Sequence, residues 1–210
     1  MTADNDIRQL VVEQRDRLGA FIEMLDDAEW ESPSLCSKWL VRDVVAHCAQ
    51  SHVATPWRLA AEMVAARFRL AVRNERWVAA RRRCDRSAVL AEYRETANRL
   101  AVPEAELRYA LLEVVIHGYD IAWPLGRTIE VPATSLVIVA QTCLRTPVFL
   151  GAKRRCVGIS LRANDIDWSA GTGPEVTGPL ALIVMAMAGR PVGHAELTGA
   201  ELFRLPAQGS

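Results

Sequence analysis

A chain of 210 residues, half of them apolar, holds enough material for one large domain or two small ones with an ample core, which excludes a disordered protein. Lys+Arg and Asp+Glu balance at 25 each, so neither nucleic acid nor an anionic membrane surface is an expected partner. The cysteines Cys36, Cys48, Cys84, Cys143 and Cys156 are odd in number and scattered, with no C-x-x-C pair, which argues against disulfides and a thiolate zinc site. Cys48 stands out because it follows His47 directly, although a buried, inert thiol is the ordinary role for such a residue.

Ile7 to Leu25 carries apolar residues at helical spacing, and Asp26 to Lys38, with Ser32-Pro33-Ser34, reads as a loop. A second helix is predicted from Val41 to Ser51, and a third opens at Pro56 and continues towards Trp77. A polar break at Arg83–Ser87 leads to a fourth helix, Ala88 to Leu100. A fifth starts at Pro103-Glu104-Ala105-Glu106, with acids at its positive end, and stops at Pro124 and Gly126. After Arg127 the texture changes. A helix from Ala133 to Leu144 is followed by extended segments at Cys156–Arg162, Ile166–Ser169 and Glu175–Thr177, then a helix over Pro179–Gly189 and a strand near Glu201–Leu205. The reading is mainly α with a small α/β part, split near residue 128.

No apolar run reaches the roughly 18–20 residues that span a bilayer. The acidic N-terminus lacks a signal-peptide core, so a cytoplasmic protein without membrane partners is expected. Arg81-Arg82-Arg83 and Lys153-Arg154-Arg155 read as solvated helix ends or loops. Lys38 and Lys153 are the only lysines; such arginine usage, with abundant Ala and Val, suggests a GC-rich genome.

The chemistry concentrates in Leu111–Trp123, where Glu113 and His117 stand one helical turn apart in an apolar run. A carboxylate among Leu, Val and Ile is costly unless paired, and a divalent metal would pair with both side chains. A third ligand must come from elsewhere. His47 repeats the spacing with Asp43, and Asp43–His47–Ser51 is a narrow polar stripe on a greasy helix. Glu106–Glu113–His117–Asp120 makes a second stripe, and bundles build metal sites from facing helices. His52 lies about 140° around a helix from His47, so the two do not easily serve one site. His194 reads as a loop residue. Two histidines and a carboxylate leave coordination positions open, and suit zinc, iron, nickel or manganese. Asp43 and Asp120 would then accept imidazole N–H groups, or else serve as plain surface charges.

Trp39-Leu40-Val41-Arg42-Asp43-Val44-Val45-Ala46-His47 resembles the W-x-V-R-D-V-x-A-H signature of the mycothiol-dependent maleylpyruvate isomerase family, part of the DinB-like metalloenzyme superfamily. Glu113-x-x-x-His117-x-x-Asp120-Ile121 is similar to its second signature. Leu161–Trp168, Gly171–Pro179 and Ala188–Pro191 are similar to its actinobacterial members. The resemblance covers nearly the whole chain. It implies a DinB-like up-down-down-up four-helix bundle over residues 1–128 and a small α/β domain over 129–210. It also implies a metal, usually zinc, on His47, Glu113 and His117, and a catalytic arginine from the C-terminal domain, for which Arg190 is the nearest match. Lys38 stands where Gly commonly precedes the Trp. Leu40 stands where Ser or Thr commonly caps the helix, a bond lost unless Ser37 supplies it.

The family implies a metal- and thiol-dependent enzyme, an isomerase or S-transferase, with mycothiol or another low-molecular-weight thiol as cofactor. A dication deprotonates a thiol at neutral pH, and the thiolate can attack a small electrophilic substrate. Addition to a cis-enedioate leaves a single bond that rotates, and elimination gives the trans isomer; a leaving group gives an S-transferase instead. Arg190 or Arg162 would hold a substrate carboxylate, or form surface salt bridges. Two alternatives stay open. One is a thiol-independent metal-dependent hydrolase, lyase or cyclase of a specialised pathway. The other is a non-catalytic helical ligand-binding protein, which would have to bury Glu113 without help. Trp57, Trp77 and Trp123 read as core or pocket lining.

Overall fold

The computed structural model describes residues 3–50, 56–67, 69–97, 103, 106–145, 151–191 and 196–203; His52 and His194 fall outside them. The chain forms two compact units, Met1–Glu130 and Val131–Ser210. The fold is mainly α with a three-stranded sheet, the class expected.

In the N-terminal unit, α1 (Ala3–Glu23) buries Ile7, Val11, Leu18, Phe21 and Ile22 along one stripe. The expected loop contains a short helix, α2 (Asp27–Trp30). Asp26 and Glu29 start it with a reciprocal capping box: each side chain accepts the other's backbone N–H, at 2.8 and 2.9 Å. The helix expected from Pro56 to Trp77 is two, α4 (Pro56–Ala65) and α5 (Leu70–Arg81). Neither Gly nor Pro makes that break; Arg67 does, at φ 52, with its N–H on the Val64 carbonyl.

Helices α3 (Val41–Gln50), α6 (Arg86–Ala97) and α7 (Leu107–Ala122) complete the bundle. α1 packs on α6 and α7, and α3 packs on the same two, closing a ring of four. Leu107, Leu111, Val115 and Ile121 of α7 are fully buried in it, each side chain contributing about 1.5–3 kcal/mol. Arg15, only 2% exposed, ties three of the helices. Its guanidinium reaches the Cys48 carbonyl of α3 at 3.4 Å and lies 5.3 Å from the Tyr93 ring of α6, while the Tyr93 hydroxyl donates to the Arg15 carbonyl at 2.8 Å. α7 tightens into a 3-10 turn at Trp123–Leu125 and ends at Gly126, φ 65, where the sequence places its stop.

The C-terminal unit holds α8 (Ala133–Arg145), α9 (Ala152–Arg155), β1 (Ser160–Ala163), β2 (Ser169–Gly171), β3 (Glu175–Gly178) and α10 (Leu180–Met187). β1 is central, antiparallel to β2 and parallel to β3, with Leu161 opposite Val176. Gly171 has φ 82, and a Cβ there would lie against the Ile159 carbonyl, so no other residue fits. α10 is buried on almost every side and packs on β1, β3 and α8. Asp165 accepts the Leu180 N–H at 2.9 Å and caps it. Two expectations change here. The strand near Glu201–Leu205 is a 3-10 turn at Ala200–Leu202, with residues 204 and 205 outside the described set. The pairing falls earlier, where Thr198 and Thr177 exchange hydrogen bonds. Arg155 is buried rather than solvated, its Nε–H on the Met187 carbonyl at 2.9 Å. The five cysteines are free, and among the described residues no helix is long and apolar enough to cross a membrane.

Candidate metal centre

The loop between α2 and α3 decides how α3 presents its side chains. Pro33 and Leu40 pair across it, and Ser34 Oγ accepts the Cys36 N–H at 3.1 Å and donates to the Trp39 carbonyl at 2.8 Å. Lys38 adopts φ 76, the left-handed region that favours glycine. The side-chain cap that Leu40 cannot supply is not replaced by Asp43, whose own N–H goes to the Leu40 carbonyl at 3.0 Å. Asp43 Oδ2 accepts the Leu40 N–H at 3.2 Å, the return half of a capping box.

Asp43 has a second duty. Buried to 3% exposure, it accepts from Arg82 Nε and Nη2, both at 3.1 Å. The expectation that Asp43 holds an imidazole N–H does not describe these contacts. Its oxygens serve the helix start and a two-pronged ion pair, which also satisfy a carboxylate removed from water.

His47, buried on α3, has its ring 5.2 Å from Trp39 and 5.0 Å from the ring of His117, which it meets edge-on. Trp39 is fixed by its indole N–H on Glu75 at 2.9 Å. On α7, His117 Nδ1 lies 3.1 Å from Oδ2 of the fully buried Asp120. Cys36 Sγ donates to the same oxygen at 3.0 Å and stands 3.7 Å from His117 Nδ1. Burial pushes the His117 imidazole down, but its hydrogen bonds to Asp120 and Cys36 outweigh this and hold it well above the ordinary 6.5. Burial pushes the Cys48 thiol up to about 11, so the residue beside His47 is inert at neutral pH.

The fold thus brings His47 and His117 together from two helices and sets Asp120 behind His117. Glu113 is half-buried one turn before His117, near enough that both act on the Cys48 thiol. Among the described residues, the group whose donor atoms all lie within 4.8 Å of one another is Cys36, His117 and Asp120, and such a group can hold a metal; His47 and Glu113 stand outside it. Cys36 is the residue sequence reasoning missed. It comes from a loop, 81 residues from His117 and 84 from Asp120, with no periodicity to betray it.

Arg190 belongs to the C-terminal unit, where its N–H bonds the Met185 carbonyl at 2.9 Å and Nη1 bonds that of Ala188 at 3.2 Å. Arg162 makes an exposed pair with Glu175 at 2.8 Å. Trp77 donates to the Ala46 carbonyl at 3.3 Å beneath Arg81, and Trp123 stacks on Tyr119 at 4.5 Å. Trp57's side chain lies outside the described residues. A cavity of about 210 Å³ beside α3 is lined by Arg42, Arg82 and Arg86, but each is paired, with Glu31, Asp43 and Asp27.

Residues 11–108 match the sequence model of the mycothiol maleylpyruvate isomerase N-terminal domain. Over those residues the chain is similar to that family's N-terminal domain. The match includes the helix of His47 and stops before Glu113 and His117. Two solved structures share the fold, a mycothiol-dependent maleylpyruvate isomerase and its histidine-to-alanine mutant. Each has a TM-score of 0.65 and 20% identity, over 94% of this chain and 95% of theirs. No curated sequence matches. The matched family and both structures are those of an enzyme, and the shared architecture is the DinB-like fold expected from the motifs.

Proposed function

We propose that this protein is a metal- and thiol-dependent enzyme, an isomerase or S-transferase of a small electrophile, with mycothiol or another low-molecular-weight thiol as its cofactor. The observation that carries this is the contact between the His47 and His117 rings, 5.0 Å apart, with Glu113 one turn away in an apolar helix. Two imidazoles and a carboxylate fit a divalent cation, with zinc the best match and nickel or iron compatible. When bound there by His47, Glu113 and His117, the metal would supply the charge that ionises a thiol at neutral pH.

The chain's own contributions follow from its contacts. Asp120, accepting the His117 Nδ1–H, leaves Nε2 as the nitrogen with a free lone pair for a metal. Trp39 covers one side of His47 and limits water there. Arg190, from the C-terminal unit, is our candidate for binding a substrate carboxylate. The solved relative is a maleylpyruvate isomerase, so small cis-enedioates are the first substrates to try.

One observation favours a second ligand set: Cys36, His117 and Asp120 have donor atoms near enough to share an ion. Metal analysis of purified wild-type, His47→Ala and Cys36→Ala protein separates the two. Stoichiometric metal lost only in His47→Ala, and turnover only in the presence of a thiol, is the expected result. Wild-type protein without metal, together with unchanged stability and ligand binding in His47→Ala, would sink the proposal.

A further inference from the structure

Asp120 is fully buried at the end of α7, and an ionised carboxylate taken out of water must find donors. Two of them converge on one oxygen, Oδ2: His117 Nδ1 at 3.1 Å and Cys36 Sγ at 3.0 Å. The Cys36 loop is docked on the same residue by its backbone, with the Leu35 N–H on the Asp120 carbonyl at 3.0 Å. Three residues later the same loop lays Trp39 against His47. One loop therefore touches both histidines.

We infer that Cys36 is a positioning residue: its S–H holds the Asp120 carboxylate where it receives the His117 Nδ1 proton, fixing the tautomer and orientation of that ring. This rests on the reading of His117 as a metal ligand. A carboxylate oxygen only accepts, so the contact as it stands needs a protonated thiol. The group is not a nucleophile–base–acid relay, in which thiol and carboxylate meet opposite ring nitrogens; here both approach Nδ1. The separations to Oδ2 are hydrogen-bond lengths, already accounted for by shared protons.

The test compares wild type, Cys36→Ser, which keeps a donor, and Cys36→Ala, which does not. Two quantities are read: the His117 tautomer by ¹⁵N NMR of the metal-free protein at a pH where the ring is neutral, and the zinc dissociation constant by chelator competition. Cys36→Ser should keep the Nδ1–H form and bind zinc within about threefold of wild type. Cys36→Ala should mix tautomers and bind about tenfold more weakly, the lower end of what an outer hydrogen-bond partner costs. Should Cys36→Ala not fold, Cys36→Val, close in volume and lacking the donor, takes its place. Unchanged tautomer and affinity in the donorless variant overturn the inference. So does an equal, near-complete loss of zinc in both variants, which would make Cys36 a ligand. A wild type that takes up no zinc defeats the proposed function instead, and the tautomer comparison still decides the role of Cys36.

Discussion

α3 and α7 each carry an acid and a histidine at four-residue spacing, Asp43 with His47 and Glu113 with His117, yet the two helices use their buried aspartates in opposite ways. Asp43 turns towards the N-terminus of α3, where it returns a cap to Leu40 and grips Arg82. Asp120 follows its histidine by three residues and turns to it, with Cys36 on the same oxygen. Spacing puts an acid and an imidazole on one face; position within the helix decides which way the acid turns. An acid in the first turn is drawn to free N–H groups, and one in the last turn finds only carbonyls and must seek a side-chain donor.

The sharpest way to break this comparison is to remove the imidazole that Asp120 serves. His117→Ala should weaken zinc binding by more than about 100-fold, beyond the range for outer partners, as read by chelator competition. Next comes the acid behind it. Asp120→Asn should cost about 10–100-fold in zinc affinity, whereas Asp43→Asn should leave affinity within about threefold. The reverse ranking is expected in denaturant unfolding for α3: Asp43→Ala should cost roughly 2 kcal/mol by stranding Arg82 and the Leu40 N–H. Equal effects of the two aspartates on zinc affinity would erase the distinction.

Acidity sharpens it further. A protonated His117 cannot ligate through either nitrogen, and its metal-free ring is held well above 6.5. Zinc affinity should therefore fall as pH drops below that raised value, measured as dissociation constants across neutral pH. In the metal-free protein the sign is opposite: the stability from the charged ring is full below 6.5 and is lost as pH rises through the raised value. The smallest effect concerns the loop. Lys38→Gly relieves a left-handed backbone and should raise stability by up to about 1 kcal/mol, read as a higher Tm.

Much of this was legible because periodic signals are local. The apolar stripe of α1, the stop of α7 at Pro124 and Gly126, and the placing of Glu113 and His117 one turn apart on α7 all rest on spacing within a few turns. The break between α4 and α5 was not, since Arg67 does what sequence reading assigns to glycine. The segment near Glu201 has the composition of a strand, but Gly199 at φ 77 turns the chain first. Asp43 carried a usable signal, its place three residues after the cap, which the capping-box rule would have read. Cys36 carried none: its partners are set by how a loop crosses the end of a helix far away in the sequence.

The order in which the histidines leave the ribosome follows from the same ring of helices. His47 is synthesised long before α7, and chains lengthen at about 5–20 residues per second. For several seconds α3 exists with one imidazole and without α7, one of the two bundle helices that pack on it. Ring contact, loop docking on Asp120 and burial of α7 all arrive with the same stretch of new chain. On the proposed function, competence to hold a metal is thus timed to completion of the bundle, and a chain truncated before His117 would be expected to lack it.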